Sequence, residues 1–331
     1  MAKVTVFGAG AMGTAFAMHL ARIGNDTVLW ASEFDAKVLP ALTEDRRHPG
    51  LPEHLPDSLR VLGPDDLDTA ARGIDVAVMG AHSGGARTLT RIVADGADNL
   101  PLVVGVAKGL EPETRKRMSE VYAEEVGHDR VVSVGGPGLA PEVAEGLPTA
   151  VVFAATEAAP AEEAAAVFRS KTLRVEVTDD VAGVEYCTVI KNVIAIGMGI
   201  IDGMGKGTDL DYRNAKSALF TQAFAEMKQL VTALGGRAET VNGLAGLGDT
   251  LVTSLGGRNR LYGELLGEGS NPETALKELT DRGMTVEGVD STREVRALCE
   301  ETSLRLTVLD RVHEVLFDSA PAASILDAMK G

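Results

Sequence analysis

The stretch VTVFGAGAMGTAFAMHLARIGNDTVLW, residues 4–30, decides the fold of this chain. A short β-branched run leads into three glycines with the spacing GxGxxG, and an apolar helical pattern follows them. In this arrangement the first glycine permits a tight turn, the second lets a pyrophosphate approach the backbone, and the third lets helix and strand pack closely. The free N–H groups of the helix N-terminus would then bind the phosphates. The stretch predicts a dinucleotide site formed by Gly8, Gly10, Ala11, Met12 and Gly13.

Strand signals recur along the first half of the chain, with helical segments between most of them. Strands are predicted at 4–7, 27–30, 59–62, 75–79, 102–106, 131–134, 150–153 and 173–177. Helices are predicted, for example, at 11–22, 84–95 and 112–125. Such alternation is typical of a parallel, doubly wound sheet.

From about residue 180 the strand signals stop. Helices are predicted at 181–203, 213–234, 258–268, 272–282, 290–302 and 306–317. We therefore expect an α/β protein with a Rossmann-type, doubly wound, mainly parallel sheet followed by a mostly α-helical C-terminal domain. Residues 1–180 are expected to bind the dinucleotide, and residues 181–331 to form the substrate and catalytic domain.

An acidic residue follows the second predicted strand, in VLWASEFD at 28–35. Glu33 lies 20 residues after Gly13, close to where an acid binds the adenosine ribose of NAD. Between Trp30 and Asp35 there is no arginine or lysine to neutralise the 2′-phosphate of NADP. NAD is therefore the favoured cofactor and NADP the alternative. The competing interpretation is that Glu33 is a solvated loop acid.

A single lysine stands in the nearly all-apolar segment YCTVIKNVIAIGMGIIDG, residues 186–203. Its apolar residues cover every face of a helix, a pattern typical of an interior helix. The apolar run after Asn192 is too short to span a bilayer. A buried lysine is costly unless it is paired or has a task, so Lys191 is a candidate catalytic residue. The alternative is a passive residue whose ammonium group reaches solvent.

Composition narrows the classes of partner. A net charge of −16 argues against nucleic acid and against an anionic membrane surface, and it requires that an anionic ligand bind at a local basic site. Two distant cysteines without a CxxC motif indicate a reducing, cytoplasmic environment. No signal peptide or membrane insertion is predicted. The six histidines lack the spacing of metal ligands, so no metal site is predicted.

Six further motifs follow one another in an order that resembles the NAD(P)-dependent glycerol-3-phosphate dehydrogenases. They are VVGVAKGLE, GGPGLAPEVAEGLPTAV, VIKNVIAIGMGIIDG, NAKSALFTQAFAEM, GLAGLGDTLVTS and GGRNRLYG. The resemblance extends from the first strand to about residue 290. It implies interconversion of dihydroxyacetone phosphate and sn-glycerol 3-phosphate by hydride transfer with NAD(P)H. It also implies a Rossmann domain followed by a helical domain, and a cytoplasmic homodimer.

The resemblance assigns roles by position within these motifs. It implies that Lys191 is the general acid/base, that Lys108 lies beside the nicotinamide and the substrate, and that Asp249 is an acid of the substrate site. Arg258 and Asn259 would bind the phosphate. The remaining assignments are substrate contacts at Gly136, Gly138 and Gly257, and cofactor contacts at Lys108, Ala140, Arg258, Val286 and Glu287.

The chemistry of these residue types supports the assigned roles. Reduction of a ketone builds negative charge on its oxygen, which calls for a proton donor and a neighbouring cation, and the two lysines can supply both. A guanidinium suits a phosphate because it offers several donors in a planar fork. The alternatives are that Lys108 is a solvated loop lysine and that Arg258 caps a helix or pairs with Glu264.

Three features depart from the family pattern and leave other substrates open. Gly138 stands where members commonly carry Ser or Thr, Gln222 stands where bacterial relatives often have arginine, and GKGTDLDYRNAKSAL is longer than usual. A related dehydrogenase for another phosphorylated polyol or ketose is one alternative. A β-hydroxyacid or 6-phosphogluconate-type dehydrogenase is another, but it leaves GLGD and GGRN without a role. An inactive cofactor-sensing module would be suggested by substitution of Lys191 or Asp249, and both residues are present.

Overall fold

The computed structural model describes residues 1–330 and divides into two compact units. The first unit is Met1–Glu185 and the second begins at Tyr186. The division falls inside the long helix that carries Lys191, which runs from Val181 to Gly205.

The first unit contains an eight-stranded sheet in the order β3-β2-β1-β4-β5-β6-β7-β8. Its strands are β1 Lys3–Phe7, β2 Asp26–Trp30, β3 Arg60–Leu62, β4 Val76–Met79, β5 Val103–Gly105, β6 Val131–Gly135, β7 Thr149–Ala154 and β8 Leu173–Thr178. The first six strands are parallel, β7 pairs antiparallel with β6, and β8 is parallel to β7. The predicted doubly wound, mainly parallel sheet is confirmed, and each predicted strand is present.

Helices cover both faces of this sheet. They are α1 Ala11–Arg22, α2 Leu39–Thr43, α3 Leu67–Ala71, α4 Ser83–Gly96, α5 Met118–Val126, α6 Ala140–Glu145 and α7 Ala158–Phe168. The alternation of side chains along β1 explains the two layers: Val4 and Val6 join one apolar cluster, and Phe7 joins the other. Helix α5 begins later than predicted because residues 110–117 form a turn closed by a bridge between Leu110 and Arg117.

The turn between β1 and α1 depends on glycine. Gly8 has φ +97°, which a side chain rarely adopts, and a Cβ at Gly13 would lie 2.9 Å from the Gly8 carbonyl oxygen. Gly80, which follows β4, was not predicted to matter, but a Cβ there would lie 2.6 Å from the same oxygen. The glycine turn is therefore packed from the neighbouring strand as well as from its own helix.

The second unit is helical, as predicted. Its helices are α8 Val181–Gly205, which begins in the first unit, and α9 Arg213–Ala233, α10 Ala238–Asn242, α11 Asp249–Leu255, α12 Arg258–Gly267, α13 Pro272–Asp281, α14 Gly288–Glu301 and α15 Thr307–Phe317. A π-helical turn, Leu244–Gly248, precedes α11, and a 3₁₀ segment covers Ala322–Met329. The sequence analysis did not predict α10, the π turn or α11.

Helix α8 is 25 residues long with a mean hydropathy of 1.5 in its most apolar window, enough by length and composition to cross a membrane. The helix as a whole is thus longer than the apolar run considered in the sequence. However, 94% of that window is buried inside the protein. Its surroundings are therefore those of an interior helix, in agreement with its apolar residues on every face.

Glycines bring α8 and α12 into backbone contact. On α8, a Cβ at Gly199 or Gly203 would lie under 3.0 Å from a carbonyl oxygen of α12. On α12, a Cβ at Gly263 or Gly267 would lie equally close to a carbonyl oxygen of α8. Real Cβ atoms essentially never approach that closely. The four glycines, two on each helix at a spacing of four, therefore set the distance between α8 and α12.

Replacing Gly199 with alanine tests this contact, with Gly197→Ala in the same helix as the matched control. Both changes gain the same helix propensity. The new methyl group at 199 meets the Arg260 backbone, whereas at 197 it meets side-chain methyl groups of Val312, at 3.3 Å, and Ile325, at 3.9 Å. We expect Gly199→Ala to lower the free energy of unfolding by about 1–3 kcal/mol relative to Gly197→Ala. Urea denaturation measures both variants, and equal stabilities would contradict the proposed packing.

Candidate active site

Predicted site residues of the first unit lie at one edge of the sheet. Gly8, Glu33, Lys108 and Gly136 follow β1, β2, β5 and β6, respectively. These strands are parallel, so their carboxyl ends meet at the same edge. Ligands of open α/β sheets bind at this edge.

The N-terminus of α1 fits the phosphates of a dinucleotide. Its N-cap, Gly10, has no side chain to occupy the first N–H groups, and the first turn contains no acidic residue. Ala11 and Met12 are only partly buried. The resulting cradle of open N–H groups and missing Cβ atoms matches the geometry that a pyrophosphate needs.

Glu33 lies at the start of a 3₁₀ turn, Glu33–Asp35, directly after β2. The turn is closed by Asp35, whose Oδ2 accepts hydrogen bonds from the Ser32 backbone N–H at 2.8 Å and the Ser32 hydroxyl at 2.7 Å. Glu33 itself is exposed, and within residues 1–330 no ion pair to it is found. Its carboxylate is therefore available to a ligand at the end of β2.

His48 contacts the glycine turn and was not predicted from the sequence. Its Nδ1 accepts a hydrogen bond from the Gly50 N–H at 2.9 Å, so the other ring nitrogen carries the proton in the neutral ring. Burial lowers the pKa of His48, and a hydrogen bond to the Ala9 backbone partly opposes that effect. No local motif marks this residue, because it reaches the turn from a distant loop.

Lys108 lies in the loop after β5, and its Nζ donates a hydrogen bond to the Gly136 carbonyl oxygen at 3.3 Å. Both residues line a small cavity together with Met12, Phe16, Val106, Val134, Gly138 and Val151. A Cβ at Gly138 would lie 3.6 Å from Val151 and 3.8 Å from Met12, which are ordinary contacts. The cavity therefore has room for a Cβ at position 138, where the resemblance predicts Ser or Thr. Ala140 begins the next helix, α6.

The two buried charges of the second unit form an ion pair. Lys191 Nζ donates a hydrogen bond to Asp249 Oδ1 at 2.6 Å. Lys191 is 5% exposed and Asp249 is 1% exposed. Both residues are thus buried, which argues against a passive lysine whose ammonium group reaches solvent. Asp249 compensates a charge that would otherwise be costly in an apolar interior.

A chain of amide hydrogen bonds begins at the residue next to Lys191. Asn259 Nδ2 donates to Asn192 Oδ1 at 2.9 Å, and Asn259 Oδ1 accepts from the Gly288 N–H at 2.9 Å. Asn192 Nδ2 donates to the Ser291 hydroxyl at 3.3 Å. Asn192 was not predicted as a site residue, although its polarity in an apolar helix was a usable signal. These amide hydrogen bonds fix the N-terminus of α12 beside α8.

Arg258 and Glu287 meet at the N-termini of α12 and α14. Arg258 Nη2 lies 3.7 Å from Glu287 Oε1, and the Arg258 side chain is half exposed. Val286, which directly precedes Glu287 in the sequence, is buried. The N-cap of α12 is Gly257, which has no side chain. The alternative pairing of Arg258 with Glu264 is not found; Glu264 instead contacts Arg260 and Lys206.

Gln222, one of the departures from the family pattern, has a structural contact. Its Nε2 donates to Glu226 Oε1 at 3.2 Å, and the buried Glu226 accepts the N–H groups of Val308 and Leu309 at the start of α15. Burial raises the pKa of Glu226 despite these hydrogen bonds. Gln222 therefore supports a helix start rather than the Lys191–Asp249 pair.

Comparison with known proteins covers nearly the whole chain. The N-terminal part of NAD-dependent glycerol-3-phosphate dehydrogenase matches residues 3–161, and its C-terminal part matches residues 180–327. The NAD(P)+ glycerol-3-phosphate dehydrogenase of Moorella thermoacetica is 37% identical, over 99% of this chain and 95% of the relative. That of Chlorobium phaeobacteroides is 38% identical, over 99% and 97%.

A solved structure agrees with these sequence relatives. The glycerol-3-phosphate dehydrogenase of Coxiella burnetii superimposes with a TM-score of 0.87 at 30% identity, over 99% of this chain and 98% of that one. The Rossmann sheet and the helical second unit are thus found together with the family's sequence motifs. The chain belongs to the NAD(P)-dependent glycerol-3-phosphate dehydrogenase family.

Proposed function

We propose that Lys191 is the proton donor and acceptor with which this dehydrogenase interconverts dihydroxyacetone phosphate and sn-glycerol 3-phosphate. The hydrogen bond of 2.6 Å between Lys191 and Asp249 is the observation that carries the proposal. It holds a charged donor at a fixed point inside an apolar helix. A β-hydroxyacid dehydrogenase is not favoured, because the relatives over the full chain are glycerol-3-phosphate dehydrogenases.

The proton step follows from this arrangement. When bound, NADH supplies the hydride that reduces the carbonyl carbon. Lys191 Nζ gives a proton to the carbonyl oxygen, which becomes the secondary hydroxyl, and it takes a proton from that hydroxyl in the reverse direction. Asp249 orients the ammonium group and balances its charge. Lys108 is proposed as a second cation, stabilising negative charge on the same oxygen.

The phosphate of the substrate is proposed to bind at the N-terminus of α12. Three features support this placement. The guanidinium of Arg258 is half exposed, and the backbone N–H groups of the first turn of α12 follow an N-cap, Gly257, that has no side chain. The third is the Asn259 side-chain amide, one of whose N–H groups binds Asn192 while the other is proposed to bind the phosphate. A helix N-terminus favours anions through its dipole and its unpaired donors. Arg258 adds a planar fork of donors that a phosphate can accept. Gly136 and Gly138 are proposed to line the substrate pocket beside Lys108.

Cofactor binding is proposed to use the glycine turn and α1 for the pyrophosphate and Glu33 for the adenosine ribose. Ala140, Val286, Glu287 and Arg258 are further proposed contacts. The exposed Glu33 and the lack of a lysine or arginine between Trp30 and Asp35 favour NAD over NADP. Residues 1–180 would thus serve the dinucleotide and residues 181–331 the substrate. We also propose that the protein is a homodimer and that it is cytoplasmic. The two widely separated cysteines support the cytoplasmic location.

Replacing Lys191 with methionine should lower kcat by ~10²–10⁴, the usual contribution of a positioned proton donor. It should also destabilise the fold, because the buried Asp249 carboxylate loses its cation. Adding Asp249→Asn should restore part of the stability but none of the activity. Thermal unfolding and steady-state kinetics of the single and double variants measure both effects. A Lys191→Met enzyme with a tenth of the wild-type kcat would exclude the catalytic role.

The cofactor preference can be measured directly. NADH should give a higher kcat/KM than NADPH, because a 2′-phosphate beside Glu33 would be repelled and left without a cation. Glu33→Gln should bring the kcat/KM values for NADH and NADPH closer together, because it removes the repulsion of the 2′-phosphate. Asp35→Asn serves as the matched control, because this carboxylate is already hydrogen-bonded to Ser32. Equal or better kcat/KM with NADPH in the wild type would contradict the NAD preference.

Arg258→Ala should weaken use of the phosphorylated substrate specifically. Hydrogen bonds to a charged group are worth about 1.5–3 kcal/mol, so kcat/KM for dihydroxyacetone phosphate should fall roughly 10- to 200-fold. Both substrates are compared at saturating NADH, because Arg258 is also a proposed cofactor contact. Under that condition unphosphorylated dihydroxyacetone, a very poor substrate, should be reduced about equally by wild type and variant. A similar loss with both substrates would mean that Arg258 does not bind the phosphate.

A further inference from the structure

We propose that Arg87 is a positioning residue for Lys108 and that it acts through Glu111. The proposal rests on the role assigned above to Lys108. That lysine lies in the Lys108 loop, residues 106–117, which connects β5 to α5 without helix or strand of its own. A loop needs other contacts to hold an ammonium group at a fixed point, and displacement of a reacting group by about 1 Å can cost ~10²-fold in rate.

The distal part of the Lys108 loop is closed by its own backbone. Leu110 and Arg117 form an antiparallel bridge, and Leu110 is fully buried. The Glu111 N–H donates to the Lys116 carbonyl oxygen at 2.9 Å, and the Arg115 N–H donates to the Glu111 carbonyl oxygen at 2.8 Å. Residues 110–117 are therefore joined by their own backbone hydrogen bonds, and Glu111 is part of this segment.

Arg87, on helix α4, binds the segment 110–117 through a bidentate ion pair with the Glu111 carboxylate. Its Nε donates to Glu111 Oε1 at 2.6 Å, and its Nη2 donates to Glu111 Oε2 at 2.9 Å. The Thr114 hydroxyl donates to the same carboxylate. These contacts lower the pKa of Glu111 to about 2, chiefly because of the Arg87 hydrogen bonds. Glu111 is 8% exposed, so the fork compensates a carboxylate that would otherwise be buried without a cation.

The guanidinium of Arg87 is fixed on its other side by α5. Arg87 donates to Glu125 at 2.6 Å and to Glu124 at 2.9 Å. Arg91 also pairs with Glu125, and Lys116 pairs with Glu124. The network contains three cations and three carboxylates, so its charges balance. Arg87 is thus a rigid anchor rather than a mobile surface side chain.

The short link between the anchor and Lys108 has little freedom. Lys108 is followed by Gly109, which has φ +111°, and a Cβ at Gly109 would lie 3.2 Å from the Ser83 hydroxyl oxygen at the start of α4. The loop therefore lies against α4 at Gly109 and is bound to α4 again at Glu111. These two attachments constrain the backbone beside Lys108, whose Nζ contacts the Gly136 carbonyl oxygen.

A double-mutant cycle separates positioning from a general structural role. Glu111→Gln keeps the shape of the side chain but removes the charge that Arg87 binds. We expect it to lower kcat/KM for dihydroxyacetone phosphate by about 10- to 100-fold when Lys108 is present. In a Lys108→Met background the same change should cost less than about twofold, because there is no longer an ammonium group to misplace. Equal losses in both backgrounds, or no loss beside Lys108, would overturn the proposal.

The control is Arg91→Gln, which alters the exposed edge of the same network. Arg91 contacts Glu125 and its side chain is 59% exposed, so kcat/KM should stay within about twofold of wild type. A loss as large as that of Glu111→Gln would contradict the specific role of the Arg87–Glu111 fork. If circular dichroism shows that Glu111→Gln does not fold, Arg87→Lys replaces it in the cycle, since lysine keeps the charge but cannot form the fork. If Lys108→Met alone has wild-type kcat/KM, the role of Lys108 fails as well, whereas a slow Lys108→Met enzyme with equal losses refutes only the positioning.

Discussion

The backbone contact between helices α8 and α12 is the constraint on which the second unit depends. Glycines at positions 199 and 203 face glycines at 263 and 267, so no side chain separates the two helices. This close approach lets Asn192 reach Asn259 at 2.9 Å, and Asn259 in turn binds the N–H of Gly288. The starts of α12 and α14, where Arg258 and Glu287 lie, are therefore placed by packing rather than by their own local sequence.

The buried position of helix α8 also explains how the charge of Lys191 can be held at a fixed point. Lys191 lies in a helix whose apolar window is 94% buried, and Asp249 is its buried partner. Removing either partner breaks a buried ion pair, which is strongly destabilising, so the two residues depend on each other. The π-helical turn at 244–248 leads directly into α11, which starts at Asp249 and thereby directs its carboxylate towards α8. Irregular helical turns of this kind are frequent at functional sites.

Most features with a local signal could be predicted from the sequence, although the polarity of Asn192 in an apolar helix was missed. The glycine spacing, the alternating strands and the apolar periodicity predicted the sheet, its mainly parallel order and most helices. The burial of Lys191 followed from its position in an apolar helix. Other features depend on residues that are distant in sequence. Neither the fork between Arg87 and Glu111 nor the contact of His48 with the glycine turn has a local signature. The antiparallel pairing of β7 with β6 likewise follows from the chain path and not from the composition of the strand.

Amine rescue of a Lys191→Ala enzyme tests the central claim, that the ammonium group of this residue transfers the proton. The variant removes the ammonium group and leaves a space next to Asp249 that a small primary amine can enter. With dihydroxyacetone phosphate and NADH, added methylammonium or ethylammonium should raise kcat/KM in a saturable manner, because it restores a donor for the carbonyl oxygen. Tetramethylammonium, which has the charge but no N–H proton to donate, should not raise kcat/KM. Equal acceleration by tetramethylammonium, or no acceleration by either primary amine, would contradict the assignment of Lys191 as the proton donor.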